Sequence, residues 1–198
     1  YGFNSTFTKT SNNGWYVSGQ TSYKKFGDFN SPDYILTNTG SESRAFSLFT
    51  GRKEFEQGYE FYYSYLKNKI GILRSSHIGN VEDLVDGINS NQPRIIDPFS
   101  YDISAPRQEV THQIFKGKYF KRFKELGKLD IQYDYQNNHR FEFDIRRGDD
   151  RNVAAIDLKL QSHTLKSTLQ LDSKKATNFK LGVLARYQDH FANPDTGV

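Results

Sequence analysis

Segments in which apolar and polar residues alternate are joined, in strict turn, by a tight polar reversal and then by a long irregular loop. The tight reversals are Ser11-Asn12-Asn13-Gly14, Lys53 to Gln57, Lys121 to Gly127 and Asp172 to Asn178. The long connections run from Lys25 to Ser43, from Leu73 to Arg107 and from Phe143 to Ala154, and a fourth opens at Asn193. An antiparallel sheet threaded in this way gathers its short turns at one end and its long loops at the other. A soluble meander has no reason to sort its connections by side. A sheet that crosses a bilayer does, with bare reversals on the inner side and recognition loops on the outer.

The alternation itself is plain in several segments. Leu129, Ile131, Tyr133 and Tyr135 share one face of a strand whose other face holds Asp130, Gln132, Asp134 and Gln136. Phe179, Leu181, Val183, Ala185 and Tyr187 repeat the pattern, as do Trp15, Val17, Gly19, Thr21 and Tyr23, and Tyr59, Phe61, Tyr63 and Tyr65. Period two over this length means half-buried strand. Eight strands are expected, over roughly 2–10, 14–25, 44–53, 58–72, 108–121, 127–143, 155–172 and 178–191. The segment 108–120 is the least regular, with apolar residues on both faces. In the seventh strand Ile156, Leu158 and Leu160 fall out of phase with Leu165, Leu169 and Leu171, which predicts a bulge near Ser162–Thr164. Within the long loop, Asn80 ahead of Glu82 and Asp83, with Val81, Leu84, Val85 and Ile88 on one stripe, predicts one or two helical turns.

Composition separates the remaining classes. The 198 residues hold 16 Phe, 13 Tyr and one Trp, too many rings for a disordered chain. Mean hydropathy is −0.77, and no apolar run approaches the ~20 residues of a spanning helix. Membrane crossing by strands stays open, because only alternate residues must then be apolar. Cysteine is absent, so disulfides and thiolate chemistry are excluded. The net charge of +4, from 27 basic and 23 acidic residues, is dispersed along the chain, which argues against a nucleic-acid partner. Aromatic residues near the turn ends (Trp15, Tyr16, Phe55, Tyr59, Tyr119, Phe120, Phe123 and Phe179) suit an interfacial girdle. The first residue is Tyr1 and methionine is missing throughout. The chain therefore reads as an internal piece of a longer polypeptide.

Three phrases resemble the barrel domain of TonB-dependent outer-membrane receptors, particularly those of Bacteroidota. They are Ile70-Gly71-Ile72-Leu73-Arg74-Ser75-Ser76-His77-Ile78-Gly79-Asn80, Ala105-Pro106-Arg107-Gln108-Glu109-Val110-Thr111-His112, and Glu142-Phe143-Asp144-Ile145-Arg146-Arg147-Gly148. Tyr23 to Phe29 followed by Asn38-Thr39-Gly40 is similar to an earlier strand and loop of that barrel, and Leu158 to Leu165 to the strand after the Arg-Arg-Gly loop. The phrases stand in family order and cover most of the chain. The resemblance implies an all-β fold: an antiparallel transmembrane β-barrel of 22 strands with long outer loops, of which residues 1–198 supply about eight consecutive strands. The plug domain is absent from the sequence. It further implies residence in the outer membrane of a Gram-negative bacterium, contact with outer-membrane lipids, and import of an extracellular nutrient such as a ferric siderophore. TonB would supply the energy through the missing plug. Neither enzymatic activity nor a cofactor is implied. Alternatives within and beyond the family are a glycan or peptide importer partnered by a surface lipoprotein, a scaffold in an envelope complex, and a complete eight-stranded barrel with an adhesive or structural role. A soluble carbohydrate-binding β-domain is a further rival, and would need two layers around a dry interior.

Candidate ligand-binding residues lie on the loops. Arg146, Arg147, Asp149 and Asp150, within Asp144 to Arg151, could read a carboxylate or phosphate through bidentate pairing. Equally, such dense opposite charges neutralise one another, which is the favoured reading. Arg147-Gly148-Asp149 as an adhesion tripeptide is a chance-level match. Arg74, His77 and Arg107 suit an anionic ferric complex, against the plainer reading of loop packing. His77, His112, His139, His163 and His190 never stand two or four residues apart, so a metal site is not expected. Catalytic motifs are absent.

Overall fold

The computed structural model describes residues 1–76, 80–145, 152–172 and 179–194. Eight long strands form one antiparallel sheet: β1 (Gly2–Thr10), β2 (Trp15–Phe26), β5 (Ser41–Lys53), β6 (Gln57–Gly71), β7 (Arg107–Phe123), β8 (Gly127–Phe143), β9 (Ile156–Leu171) and β10 (Phe179–Asn193). They neighbour one another in chain order. A small hairpin, β3 (Phe29–Asn30) with β4 (Ile35–Leu36), fills the first long loop. The second long loop holds a 3-10 turn, Arg74–Ser76, and the helix α1, Val81–Asn89.

The short turns close where the sequence supplies the residues for them. Gly14 sits at φ 81, donates to the Ser11 carbonyl at 3.1 Å, and has no room for a Cβ, which would lie 2.6 Å from the Lys53 oxygen. At the other end α1 begins as its cap demands. The Asn80 side-chain oxygen accepts from the Asp83 amide at 2.7 Å, and Glu82 and Asp83 occupy the first turn.

Two expectations need correction. No bulge interrupts β9: its pairing with β8 runs unbroken from Ile156 to Leu171, and with β10 from Asp157 to Leu171. The leucines change phase because the two faces become apolar in different halves of the strand. β5 also begins three residues earlier than expected, at Ser41. Ser41 and Ser43 read as loop by composition, yet they pair with Ile70 and Asn68.

The described residues form no second layer for the sheet to pack against. Among the described residues no side chain is fully buried, and the buried apolar side chains are few: Ala105, Pro106 and Phe120. β1 and β10 each have a partner on one side only, so the sheet is open. A closed eight-stranded barrel would pair those two strands, and a soluble sandwich would hold a dry interior; neither is present.

Candidate functional site

At the loop end the first and second long loops are braced together by buried polar side chains. Asn38, at φ 66, donates from Nδ2 to the carbonyls of Ile72 (2.9 Å) and Pro106 (2.8 Å), and its Oδ1 accepts from the Ser104 amide at 2.8 Å. Gly71 lies beneath it: a Cβ there would stand 2.2 Å from the Asn38 oxygen. The Thr37 hydroxyl accepts from the Asp97 amide at 2.8 Å. The Asp28 carboxylate accepts from the amides of Thr39 (2.8 Å) and Ser100 (3.2 Å). Asp28, Thr37 and Asn38 are all buried. Their hydrogen bonds satisfy backbone groups that would otherwise be stranded, which fixes the loops as one platform.

Above this platform, Tyr34, Leu73, Leu84, Ile88, Pro93 and Arg94 line a cavity of about 370 Å³ against α1. Val81, Val85 and Ile88 remain exposed on the helix. Arg94 pairs with Asp83, and this carboxylate, through its hydrogen bond and charge, holds the guanidinium above its ordinary pKa. The cavity thus combines an aliphatic and aromatic wall with one fixed ion pair.

Of the expected ligand-binding residues, Arg74 and Arg107 are held in separate intramolecular contacts. Arg74 lies 3.5 Å from Asp97, and its amide donates to Thr37. Arg107 is buried, pairs with Glu109 at 2.9 Å, and stacks on Phe143 at 3.8 Å from the ring centroid. Arg74 is thus held in loop packing, whereas Arg107, the first residue of β7, is held by its own strand and by Phe143 of β8. His77, Arg146, Arg147, Asp149 and Asp150 lie outside the described residues. Asn38, Asp28 and Thr37 were not singled out, because a polar loop residue gives no sign in sequence of whether it is exposed or turned inward. Among the described residues no three His, Asp or Glu side chains converge as a metal site.

The second feature is the division between the sheet's faces. Directly paired residues share a face, so the register assigns every side chain. One face carries Phe7, Leu48, Tyr63, Phe115, Tyr135 and Tyr187 along a single row of register partners, with Phe61, Tyr133 and Leu165 in the next. These form an exposed apolar belt in the half nearer the short turns; Val183 is 73% exposed and Leu181 61%. The opposite face is mostly polar over the same span, with Phe49, Tyr62, Phe120 and Leu184 among its apolar members. There Lys128 pairs with Asp130 at 2.8 Å, Lys116 with Asp134 at 3.6 Å, and Lys118 with Glu60 at 3.9 Å.

Trp15, Tyr59, Tyr119, Phe123 and Phe179 lie on the belt face, with Trp15 edge-on to Tyr59 at 5.6 Å. The expected girdle is corrected at two positions. Tyr16 and Phe120 point to the polar face, where Tyr16 meets Phe49 at 5.2 Å and Lys128 covers Phe120 at 4.7 Å.

The belt crosses the strands obliquely. The row that forms its loop-side edge at β10, through Tyr187, is its turn-side edge at β1, through Phe7. At β1 the apolar residues are Phe3 and Phe7, whereas at β10 the unbroken run goes from Phe179 to Tyr187, with Phe191 set apart beyond Asp189. The displacement is about six residues, or ~20 Å along the strands, over seven strand spacings of ~4.8 Å. The belt is therefore level only if the strands tilt by about 30°.

Comparison with family models, curated proteins and solved structures gives no match to this chain. Nor is any helix of the described residues long and apolar enough to cross a membrane, a fact that says nothing of crossing by strands.

Proposed function

We propose that this chain is part of the wall and outer loops of a TonB-dependent outer-membrane receptor that imports a nutrient such as a ferric siderophore. The oblique apolar belt carries this reading. A single sheet with rings and aliphatic side chains exposed along one band needs a non-aqueous neighbour. Lipid is a neighbour that fits a belt slanted across the strands, because barrel strands tilt by about 35–45° while the membrane stays level. The belt spans about nine residues at β10, matching the ~9–11 of a tilted crossing. The polar face then meets a hydrated lumen, and the braced loops with their cavity face the medium. Asn38-Thr39-Gly40 and the segment from Ala105, which carry part of the resemblance to these receptors, lie in the loop platform, as outer loops of such a receptor would.

These 198 residues contain no cysteine, so a direct test needs only the replacement of any cysteine elsewhere in the protein that contains them. Single-cysteine variants Ile131→Cys and Gln132→Cys, fluorescently labelled in the protein that contains this chain, are reconstituted with brominated lipid. Quenching at 131 but not at 132 is expected; equal quenching at both would end the membrane reading. Import is tested by deleting the gene and measuring growth on defined ferric siderophores, where growth unaltered on every iron source would rule out that nutrient class.

A further inference from the structure

We infer that the outer ends of β5 and β6, just beyond the belt, bind a phosphate carried by a membrane glycolipid. This inference rests on the membrane reading and adds a ligand to it. Arg44 and Lys67 face one another in register, and one pleat further out Lys69 stands level with Glu42 and Glu109. The carboxylates are already engaged. Glu42 meets Arg44 at 2.6 Å and Lys25 at 3.9 Å, and Glu109 meets Arg107 at 2.9 Å. Among the described residues, Lys67 and Lys69 are left without an ionic partner, on one face and only ~7 Å apart along the strand. A depression of about 250 Å³ opens between them, lined by Glu42, Arg44, Lys67, Lys69 and Glu109.

Five cations, counting Lys25 and Arg107, thus surround two carboxylates. A group with close to two negative charges and several acceptor oxygens complements that excess, as a phosphomonoester does. Position selects the source of the phosphate. Phe46 and Tyr65, the last apolar pair of the belt on these strands, lie one pleat from Arg44 and Lys67. A phosphate held here sits at headgroup depth, with its acyl chains alongside the belt, where basic side chains attract anionic lipid. A free phosphate ion would gain nothing from the belt.

The test uses the whole detergent-solubilised barrel that contains this chain. Binding is measured to micelles doped with fluorescent diphosphorylated lipid A, and with the same lipid after dephosphorylation, and inorganic phosphate serves as competitor. Lys67→Gln with Lys69→Gln should weaken binding roughly fivefold per lysine and about thirtyfold for the pair. Lys67→Arg with Lys69→Arg should retain it. Equal binding of the dephosphorylated lipid, or unchanged affinity in the glutamine pair, overturns the proposal, and inorganic phosphate competing as strongly as lipid overturns the lipid source. If the glutamine pair fails to fold, the dephosphorylated lipid on the unaltered barrel decides alone. Quenching at Ile131→Cys does not depend on these lysines, so loss of phosphate selectivity with quenching intact sinks this site and leaves the membrane reading standing.

Discussion

Ile131 and Gln132 are adjacent, yet the register puts them on opposite faces, one in the belt and one amid paired charges. In a membrane, Ile131→Arg should cost about 2–4 kcal/mol near the midplane, whereas Gln132→Arg should cost little. Denaturant titration of the reconstituted barrel measures both, and equal costs would count against the belt. Asn38 makes a different prediction. Asn38→Ala removes the side-chain partner of the Ile72 carbonyl and of the Ser104 amide, while the Pro106 carbonyl keeps the Ile72 amide at 3.0 Å; the loss should cost ~1–3 kcal/mol in all. Hydrogen exchange at Ser104 should accelerate strongly while the amides of β7 and β8 keep their protection. Alternation made the first residue pair legible in sequence. Nothing local marked Asn38, since its partners lie 34 to 68 positions away and only the folded loops bring them together.

Strands were readable almost end to end because period two is repeated over many residues, and the helix because its cap, acidic first turn and apolar stripe agree. Asn80→Ala removes that cap and should lower the stability of α1 by about 1 kcal/mol, seen as faster amide exchange at Asp83 and Leu84. An unchanged rate at Asp83 would mean that the cap does not hold the helix. What alternation could not reveal was how each phase is used. Ile156, Leu158 and Leu160 lie on the polar face near the loops, and Leu165, Leu169 and Leu171 in the belt near the turns. One uninterrupted strand serves both surroundings, so a change of phase imitates a bulge. The β3–β4 hairpin escaped for a simpler reason: two residues per strand are too few to show any period.

The open sheet has two unpaired margins, β1 and β10, and backbone groups left unpaired in hydrocarbon cost several kcal/mol each. Produced alone and mixed with lipid vesicles, the eight strands should stay protease-sensitive and associate through these margins. If the eight strands belong to a larger closed barrel, that barrel should resist protease as a discrete species, and a resistant monomer of the eight strands alone would overturn that expectation. The alternation of short turns and long loops announced one antiparallel sheet from sequence, but the slant of the belt emerged only once the strands were in register. Length has its own effect. β7 continues from Phe115 to Arg107, about 25 Å past the loop-side edge of the belt at ~3.3 Å per residue. If the belt marks the bilayer, the braced loops stand on a stiff turret that carries them through the sugar fringe of the cell. A bulky solute would then meet these loops before it met the membrane.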